Sequence, residues 1–504
     1  MKLFHKILIP IPILLITLSC GLPAFTQDSE SEALPEEASE SPVENEILPE
    51  EEQNPPAEQE KNDPQPVEVI SGELVSPQDF EYLGAFRLPG DEDRPLTFLY
   101  GGNAMTVNPA GDPSGADDGF DGSLFISAHD RMPYGDLPDG NQLAEVNIPA
   151  PVISKNLEDL PVAEFLQNFE NVFKNNFKSF DEIPRQSLLY LDHPLTGPKI
   201  HVTFGEHFQE DLSTATHAWI NPDLKNPEFQ GEWFLGDQSL YDVNGYMLEI
   251  PDEWAEQYVH GYKLASGRYR DGGWSGMGPN LFAYTPWNPD GSAPDSGTHL
   301  DEIVLLQYMR SSDTENIENN LKDYQHPDEW EGSAWLQSLS GKSAVLFGGT
   351  KGTGDHFWYG FLDADDPTIP CLEAEMIGQF HMCLNADGNP CEEALMKGCD
   401  NQLTYRGWWS SQFNAQFILY DPADLARVAA GEMESWEPQP YASINFDERL
   451  FLNPGEIDLE TLGSGEQRRF RIGEIAFDPL SSRLYVLELF ADEAKPVVHV
   501  WRID

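Results

Sequence analysis

GEIAFDPLSSRLYVLELFADEAKPVVHVWRID, residues 473–504, is the stretch that decides the fold. An apolar run ends at Phe477-Asp478-Pro479, and after a polar turn a second, alternating run covers residues 484–489. A third apolar run, 497–503, ends the chain. Short runs of this kind, separated by Pro, Asp and Ser turns, predict an antiparallel meander of three strands.

Similar strand ends recur through the chain, each an apolar run followed by Asn, Asp or Thr and then proline. The five prolines are Pro109, Pro222, Pro286, Pro422 and Pro479. If the two longest intervals each hold two units, the unit is about 60 residues, which predicts an all-β fold, a β-propeller of about seven blades (six to eight). The alternative is that Asn-Pro and Asp-Pro simply begin turns, as they do in any β-rich chain.

Two further patterns concern how the ring closes and what connects its strands. Residues 80–88, FEYLGAFRL, predict a strand from the start of the domain that completes the last blade. Three segments predict short helices in the connections, namely 157–173, 253–258 and 423–433. The sequence therefore predicts a single propeller domain over residues 71–504.

The first 20 residues have the features of a bacterial secretion signal. Lys2 and Lys6 precede an apolar core, and Ser19-Cys20-Gly21 follows it. A cysteine at the cleavage point resembles the lipobox of bacterial lipoproteins, although Thr17 stands where an aliphatic residue is usual. We therefore expect export and a lipid on Cys20, which would attach the protein to a membrane; an ordinary signal peptide cut nearby is the alternative.

Residues 21–70 are acidic and rich in proline, and they show no apolar periodicity. Such a composition cannot bury enough surface to fold alone, so we expect a disordered tether. The whole chain has a formal net charge of −58. A charge of this sign repels polyanions, so nucleic acid is not an expected partner.

Four cysteines cluster in a segment, 370–400, that interrupts the strand pattern. In an exported protein such a cluster predicts disulfide bonds in an inserted loop, and the pairing stays open. A zinc site is the weaker alternative, because its cysteines usually come in closely spaced pairs. The cysteines are Cys371, Cys383, Cys391 and Cys399.

One acidic loop, GDPSGADDGFDG, suggests calcium as a cofactor. Asp117, Asp118 and Asp121 supply hard oxygen ligands on a flexible segment, as calcium prefers. The loop does not follow the twelve-residue EF-hand order. A chain this acidic also produces such clusters by chance, so no cofactor is assigned with certainty.

Two stretches combine arginine, tryptophan and glycine and are candidates for ligand binding. Tryptophan faces stack on sugars or cations, and arginine forks hold carboxylates. Such a site would suit an acidic glycan or a carboxylated small molecule. The alternative, which the composition favours, is that tryptophans pack between blades while arginines pair with the many carboxylates. The candidates are Arg268, Arg270, Trp274, Arg406 and Trp408.

Histidines at predicted strand ends are the candidates for acid–base chemistry or metal binding. His129, beside Asp130, and His217 come first, and His356 closes the glycine-rich segment GGTKGTGDH. Lys351 lies in the same segment, which does not have the spacing of a phosphate-binding loop. The alternative is that each histidine only forms local hydrogen bonds.

Several segments from residue 82 onward carry a family resemblance, among them YLGAFRLPG, SLFISAHD, RYRDGGWSGMGP, GTKGTGDHFWYGF and RGWWSSQF. With these segments the chain resembles a group of secreted or lipid-anchored bacterial proteins that has no established activity. The resemblance implies an exported, β-rich, propeller-like fold. It assigns no catalytic residue.

Three functions are compatible with these patterns. The first is an extracytoplasmic lipoprotein, facing the periplasm or the cell exterior, whose propeller binds a glycan, another ligand or a protein partner. The second is a carbohydrate-active enzyme, a polysaccharide lyase or glycoside hydrolase, with its site in the propeller mouth. The third is a purely structural surface protein, for which we expect no polar-lined cavity.

Overall fold

The computed structural model describes residues 72–90, 96–115, 119–128, 142–173, 176, 185–205, 214–268, 275–310, 319–355, 357–360, 374–377, 380–383 and 407–504. Within these ranges the regular structure is nearly all β-strand, with four short α-helices and a few turns of 3₁₀-helix. None of the described helices is long and apolar enough to cross a membrane.

The first described strand is β1 (Phe80–Arg87), and the strands that follow it form two sheets, which we call blades I and II. Blade I has four antiparallel strands that follow one another in sequence: β2 (Met105–Asn108), β3 (Ser123–Ser127), β4 (Gln142–Asn147) and β5 (Phe165–Asn171). Blade II repeats this order with β6 (Arg185–His193), β7 (Gly197–Gly205), β8 (His217–Ile220) and β9 (Gln230–Leu235).

Blade III follows a single-turn helix, α1 (Leu240–Val243). Its strands and the helix between the first two are β10 (Tyr246–Glu249), α2 (Asp252–Tyr258), β11 (Leu264–Gly267), β12 (Leu281–Tyr284) and, after β13 (His299–Leu300), β14 (Glu302–Leu306). The short strand β13 leaves this blade and pairs in parallel with β9 of blade II.

Blade IV carries an insertion between its second and third strands. The blade begins with β15 (Glu329–Gln337) and β16 (Ser343–Gly352). The insertion adds a small sheet of β17 (Phe357–Gly360), β18 (Ala374–Ile377), β19 (Phe380–Cys383) and β20 (Gly407–Ser410). The blade then resumes with β21 (Phe413–Tyr420), α3 (Pro422–Ala429) and β22 (Ala442–Asn445).

Blade V ends the chain and is completed from the start of the domain. After α4 (Leu459–Leu462) it consists of β23 (Ile472–Asp478), β24 (Arg483–Asp492) and β25 (Lys495–Ile503), the predicted meander. Strand β1 pairs antiparallel with β25, from Phe80 opposite Ile503 to Arg87 opposite Val497. The predicted closing strand is therefore confirmed.

The innermost strands of the blades form a closed ring. Strands β2, β6, β10, β15 and β23 each stand at one edge of their sheet. Each contacts the next in this order, and β23 contacts β2. In the described part of the chain the propeller has five blades, so the prediction of about seven was wrong.

The proline pattern misled because it marks two different places in a blade. Pro109 and Pro479 follow the first strand of blades I and V, whereas Pro222, Pro286 and Pro422 follow the third strand of blades II, III and IV. The same Asn-Pro or Asp-Pro chemistry starts a turn at either place. Intervals between unlike positions have no common period, and the insertion in blade IV lengthens one of them.

Of the three predicted helices, two are present and one is wrong. Helix α2 covers the second predicted segment, and α3 covers the first part of the third, since it ends at Ala429. Residues 157–173 instead form a 3₁₀ turn, Leu157–Asp159, and strand β5. Phe165 and Phe169 produced the helical pattern, but a spacing of four also places residues on one face of a strand, where both pack against Phe98.

Each pair of neighbouring blades encloses its own apolar core. Blades III and IV share a cluster around Tyr246, Trp335 and Phe347, and blades II and III share one around Trp219 and Trp233. Further clusters lie between blades I and II, IV and V, and V and I. Tryptophans therefore pack between blades at these places, although none of them is among the tryptophans predicted to bind a ligand.

Candidate functional site

A cavity of about 370 Å³ lies on the axis of the ring. All five inner strands line it with their C-terminal parts, mainly residues 105–110, 188–192, 247–249, 333–335 and 475–477. We call this side of the ring the cavity end, and the side where the same strands begin the charged end. A cavity of this size lies within the range of small-molecule sites.

Most side chains that line the cavity are apolar, and two buried hydroxyl groups stand among them. Thr106 Oγ1 accepts a hydrogen bond from the backbone N–H of Tyr190 at 2.7 Å, and so joins blade I to blade II. Ser333 is only 2% exposed, and its Oγ has no partner among the described residues. A buried hydroxyl without a partner costs about 1–3 kcal/mol, so Ser333 places an enclosed, unsatisfied polar group in the wall of the cavity.

The backbone adds further polar groups to the wall of the cavity. Each inner strand pairs with a neighbour on one side only. Along its other edge, alternate N–H and C=O groups point away from the sheet and toward the axis. The cavity therefore presents an apolar surface with regularly placed donors and acceptors.

The charged residues that line the cavity are Asp192, at the end of β6, and Glu249, at the end of β10. Asp192 is exposed, and Glu249 lies 3.5 Å from Lys263 Nζ. Burial raises the pKa of the Glu249 carboxyl, and Lys263 opposes this shift. Lysine and arginine are absent from the described residues of the lining.

His217, a predicted catalytic residue, lies at the charged end between blades II and III. It is 1% exposed, and its two ring nitrogens are hydrogen-bonded with Thr216 Oγ1 at 2.8 Å and Ser266 Oγ at 3.1 Å. Burial lowers the pKa of His217 to about 3, so the ring is neutral at physiological pH. The ring holds the two blades together.

Arg268, a predicted ligand-binding residue, is buried close to the same interface. Its Nη1 donates to Asn244 Oδ1 at 2.7 Å, and its guanidinium lies 4.8 Å from the centre of the Tyr241 ring. Its backbone N–H donates to Asn280 Oδ1 at 2.7 Å. Arg268 thus connects the helix α1 segment to the second and third strands of blade III.

Lys351 forms a buried ion pair at the start of blade IV. Its Nζ donates to Asp328 Oδ1 at 3.0 Å and to the carbonyls of Asp323 and Gly352, both at 2.7 Å. The Asp328 carboxylate also accepts from the backbone N–H groups of Gly352 and Gln325. Burial raises the pKa of Asp328, and Lys351 lowers it. The pair fixes the segment that leads into β15.

Trp408 lies nearby and joins two connections at the charged end. Its ring stacks on His326 with the centroids 4.5 Å apart, and its carbonyl accepts from Arg469 Nη1 at 3.0 Å. Burial lowers the pKa of His326 to about 4. The structure thus places His217 and Arg268 in one group and Lys351 and Trp408 in another, and none of the four lines the cavity.

Of the three residues predicted to bind calcium, only Asp121 lies in the described part of the chain. It is exposed in the connection between β2 and β3. Its carbonyl accepts from the N–H of Asp112, whose carboxylate in turn holds Ser114. In the described part of the chain, no group of three or more histidine, cysteine or acidic side chains is arranged to hold a metal ion.

Most of the other predicted site residues fall where the structure gives no description. Cys383 lies in β19, and its side chain is outside the described part of the structure. The residues outside the described ranges are Cys20, Asp117, Asp118, His129, Asp130, Arg270, Trp274, His356, Cys371, Cys391, Cys399 and Arg406.

The sequence patterns did not single out the residues of the cavity. Asp192 and Glu249 lie near the end of an inner strand, where the chain is about to turn into the second strand of its blade, whereas Ser333 lies in the middle of β15. That position is a usable signal, but only when the first strand of each blade is correctly assigned. The mixed proline positions prevented this assignment.

No protein-family model matches this sequence, and no curated protein matches it. Among solved structures, the chain is similar to the holo form of the pyranose dehydrogenase PQQ domain from Coprinopsis cinerea, at 10% identity and a TM-score of 0.29. The match covers 83% of this chain and 100% of that one. A TM-score this low supports no argument, so the fold and the candidate site rest on the geometry above.

Proposed function

We propose that the protein is an exported, lipid-anchored β-propeller that binds a small ligand in its axial cavity. The observation that supports this proposal best is the cavity itself, which inner strands from all five blades enclose. It combines apolar walls with the inner edges of five strands. Concave, mostly apolar sites with a few fixed polar groups are typical of small-molecule binding.

The cavity favours ligand binding over the other two functions. A purely structural protein has no need of a polar-lined cavity on its axis. An enzyme requires an acid and a base that reach the same substrate atom. His217 and Lys351, the described candidates for that chemistry, form internal hydrogen bonds at the charged end instead.

The binding test uses the mature chain and two serines of the same blade. Ligands found by a thermal-shift screen are titrated against the parent, Ser333→Phe and Ser443→Phe by isothermal titration calorimetry. A ligand at one hundred times its Kd stabilises the folded chain by about 2.7 kcal/mol, which a thermal shift detects. Ser443 is exposed on the outer strand β22, so its variant carries the same added ring away from the axis.

We expect Ser333→Phe to abolish binding because the enclosed Ser333 side chain has no room for a ring unless the neighbouring cavity wall moves, and Ser443→Phe to bind like the parent. Circular dichroism establishes that each variant is folded. A folded Ser333→Phe protein that keeps the parent's affinity would show that the ligand binds elsewhere and would overturn the proposal.

The lipid anchor rests on the cysteine that follows the apolar core of the signal. In cells fed a labelled fatty acid, we expect the parent chain to take up label and to sediment with membranes. Cys20→Ala is expected to do neither. Label in the variant, or none in the parent, would remove lipidation from the proposal.

A further inference from the structure

The mouth of the axial cavity carries an excess of negative charge. Asp192 and Glu249 lie on β6 and β10, which are neighbours in the ring. Lys263 stands close to Glu249, but it is held more tightly by Asp252, at 2.6 Å, and by the carbonyl of Ile250, at 2.7 Å. Lys263 thus pairs with two carboxylates, and Asp192 forms no described ion pair, which leaves a net negative charge at this side of the mouth.

The next titratable group along β6 does not offset this charge. Burial and the nearby Lys263 lower the pKa of His193, so the imidazole is neutral near pH 7. The chain as a whole carries a formal charge of −58, so the wider field has the same sign. An acidic mouth in an acidic protein concentrates cations and repels anions.

At the mouth, the charge of a ligand matters most. Inside the cavity, its shape and its hydrogen-bonding groups matter instead. Met105, Met247 and Ile475 line the cavity from three different blades. The two methionines are buried in the wall, where Met247 Sδ accepts a hydrogen bond from the Tyr284 hydroxyl at 3.4 Å. An apolar wall of this kind suits an aliphatic or aromatic body. Ser333 adds one buried hydroxyl without a described partner.

We infer that the axial cavity takes a small organic cation, with its ammonium group near Asp192 and Glu249 and its apolar body between the inner strands. This inference rests on the proposed function and names the class of ligand. It excludes acidic glycans and carboxylated molecules from this cavity, because their charge would face Asp192 and Glu249 without a basic residue in the described lining.

The experiment uses three probes that share one chain and differ in the head group: hexylammonium, 1-hexanol and hexanoate. Isothermal titration calorimetry on the mature chain measures the affinity of each at low ionic strength. We expect hexylammonium to bind most tightly and hexanoate most weakly.

Two double variants locate the charge effect. Asp192→Asn/Glu249→Gln removes both carboxylates of the lining and is expected to weaken hexylammonium binding by roughly tenfold, with 1-hexanol unchanged. Asp237→Asn/Glu466→Gln makes the same change at two exposed residues of the charged end, and we expect it to leave both affinities as they are.

The outcomes separate the inference from the proposed function. If hexanoate binds as tightly as hexylammonium, or if the first double variant keeps its affinity for hexylammonium, the cavity is not selective for cations and the inference is overturned, while ligand binding stands. If no probe binds, both the inference and the proposed function fail for ligands of this size.

Discussion

The two ends of the propeller both bury polar groups, and two of these groups are paired to different extents. At the charged end, Lys351 and Asp328 share five hydrogen bonds with each other and with the backbone, and both ring nitrogens of His217 are engaged. At the cavity end, the enclosed Ser333 Oγ has no described partner. Two hydroxyls of the charged end, Ser187 Oγ and Thr203 Oγ1, also lack one, so the contrast is between the paired Lys351–Asp328 group and the unpaired Ser333 and not between the two whole ends. Complete pairing of buried polar groups is the usual condition in a folded protein.

Breaking the ion pair at the charged end should have the largest effect on stability. Lys351→Met leaves the Asp328 carboxylate buried without its cation, and we expect the free energy of unfolding to fall by about 3–5 kcal/mol. Urea denaturation measures this change. If the variant loses less than about 1 kcal/mol, the pair is not structural.

The matched control for this change is Lys225→Met. Lys225 is exposed in the connection between β8 and β9, and its side chain forms no described ion pair. A surface change of this kind should alter the free energy of unfolding by no more than about 0.5 kcal/mol. If Lys351→Met lowers the free energy of unfolding by no more than Lys225→Met does, the charged end tolerates an unpaired charge.

Acid should weaken the charged end through His217. Above pH 6.5 its ring is neutral in both the folded and the unfolded chain. As the pH falls from 6.5 toward the folded pKa of about 3, only the unfolded chain takes up the proton. Each pH unit in this window therefore lowers the free energy of unfolding by about 1.4 kcal/mol.

The comparison of His217→Gln with the parent isolates this contribution. We expect the difference in stability between the two proteins to shift in favour of the variant as the pH is lowered through the window. His260→Gln alters an exposed histidine in the segment after α2 and serves as the control. A difference that stays constant between pH 6.5 and 4 would show that His217 takes up its proton in the folded protein.

The sequence predicted those elements of the fold that one short run of residues is enough to determine. The last meander, helix α2 and the closing strand β1 each have a distinct run of residues, so they were found. The blade count depends on which strand of a blade each turn follows, and Pro109 and Pro222 have the same turn chemistry after different strands. Insertions such as the one in blade IV removed the regular spacing that could have corrected the error.

The candidate site is harder to predict because residues far apart in the chain form it. Ser333 lies within an apolar strand and has no local signal of function. It reaches the cavity only because the ring closes and brings five inner strands to one axis. The arginine, histidine and tryptophan motifs were easier to notice, but in the described part they belong to blade contacts and connections.

The smallest expected effects come from the two hydroxyl groups of the cavity, and they differ in direction. Thr106→Val removes the acceptor of the Tyr190 N–H and leaves that donor inside the ring without a partner, so we expect a loss of about 1–3 kcal/mol. Ser333→Ala removes a hydroxyl that has no described partner, so the free energy of unfolding should stay the same or rise by up to about 1 kcal/mol.

Urea denaturation in the absence of ligand measures the free energy of unfolding of both variants, and each variant serves as the control for the other. The substitutions are of similar size and lie in the same cavity, so packing effects should be alike. If Ser333→Ala destabilises the protein as much as Thr106→Val does, the Ser333 hydroxyl is already satisfied within the fold. The contrast between the fully paired Lys351–Asp328 group and the unpaired Ser333 hydroxyl would then no longer hold.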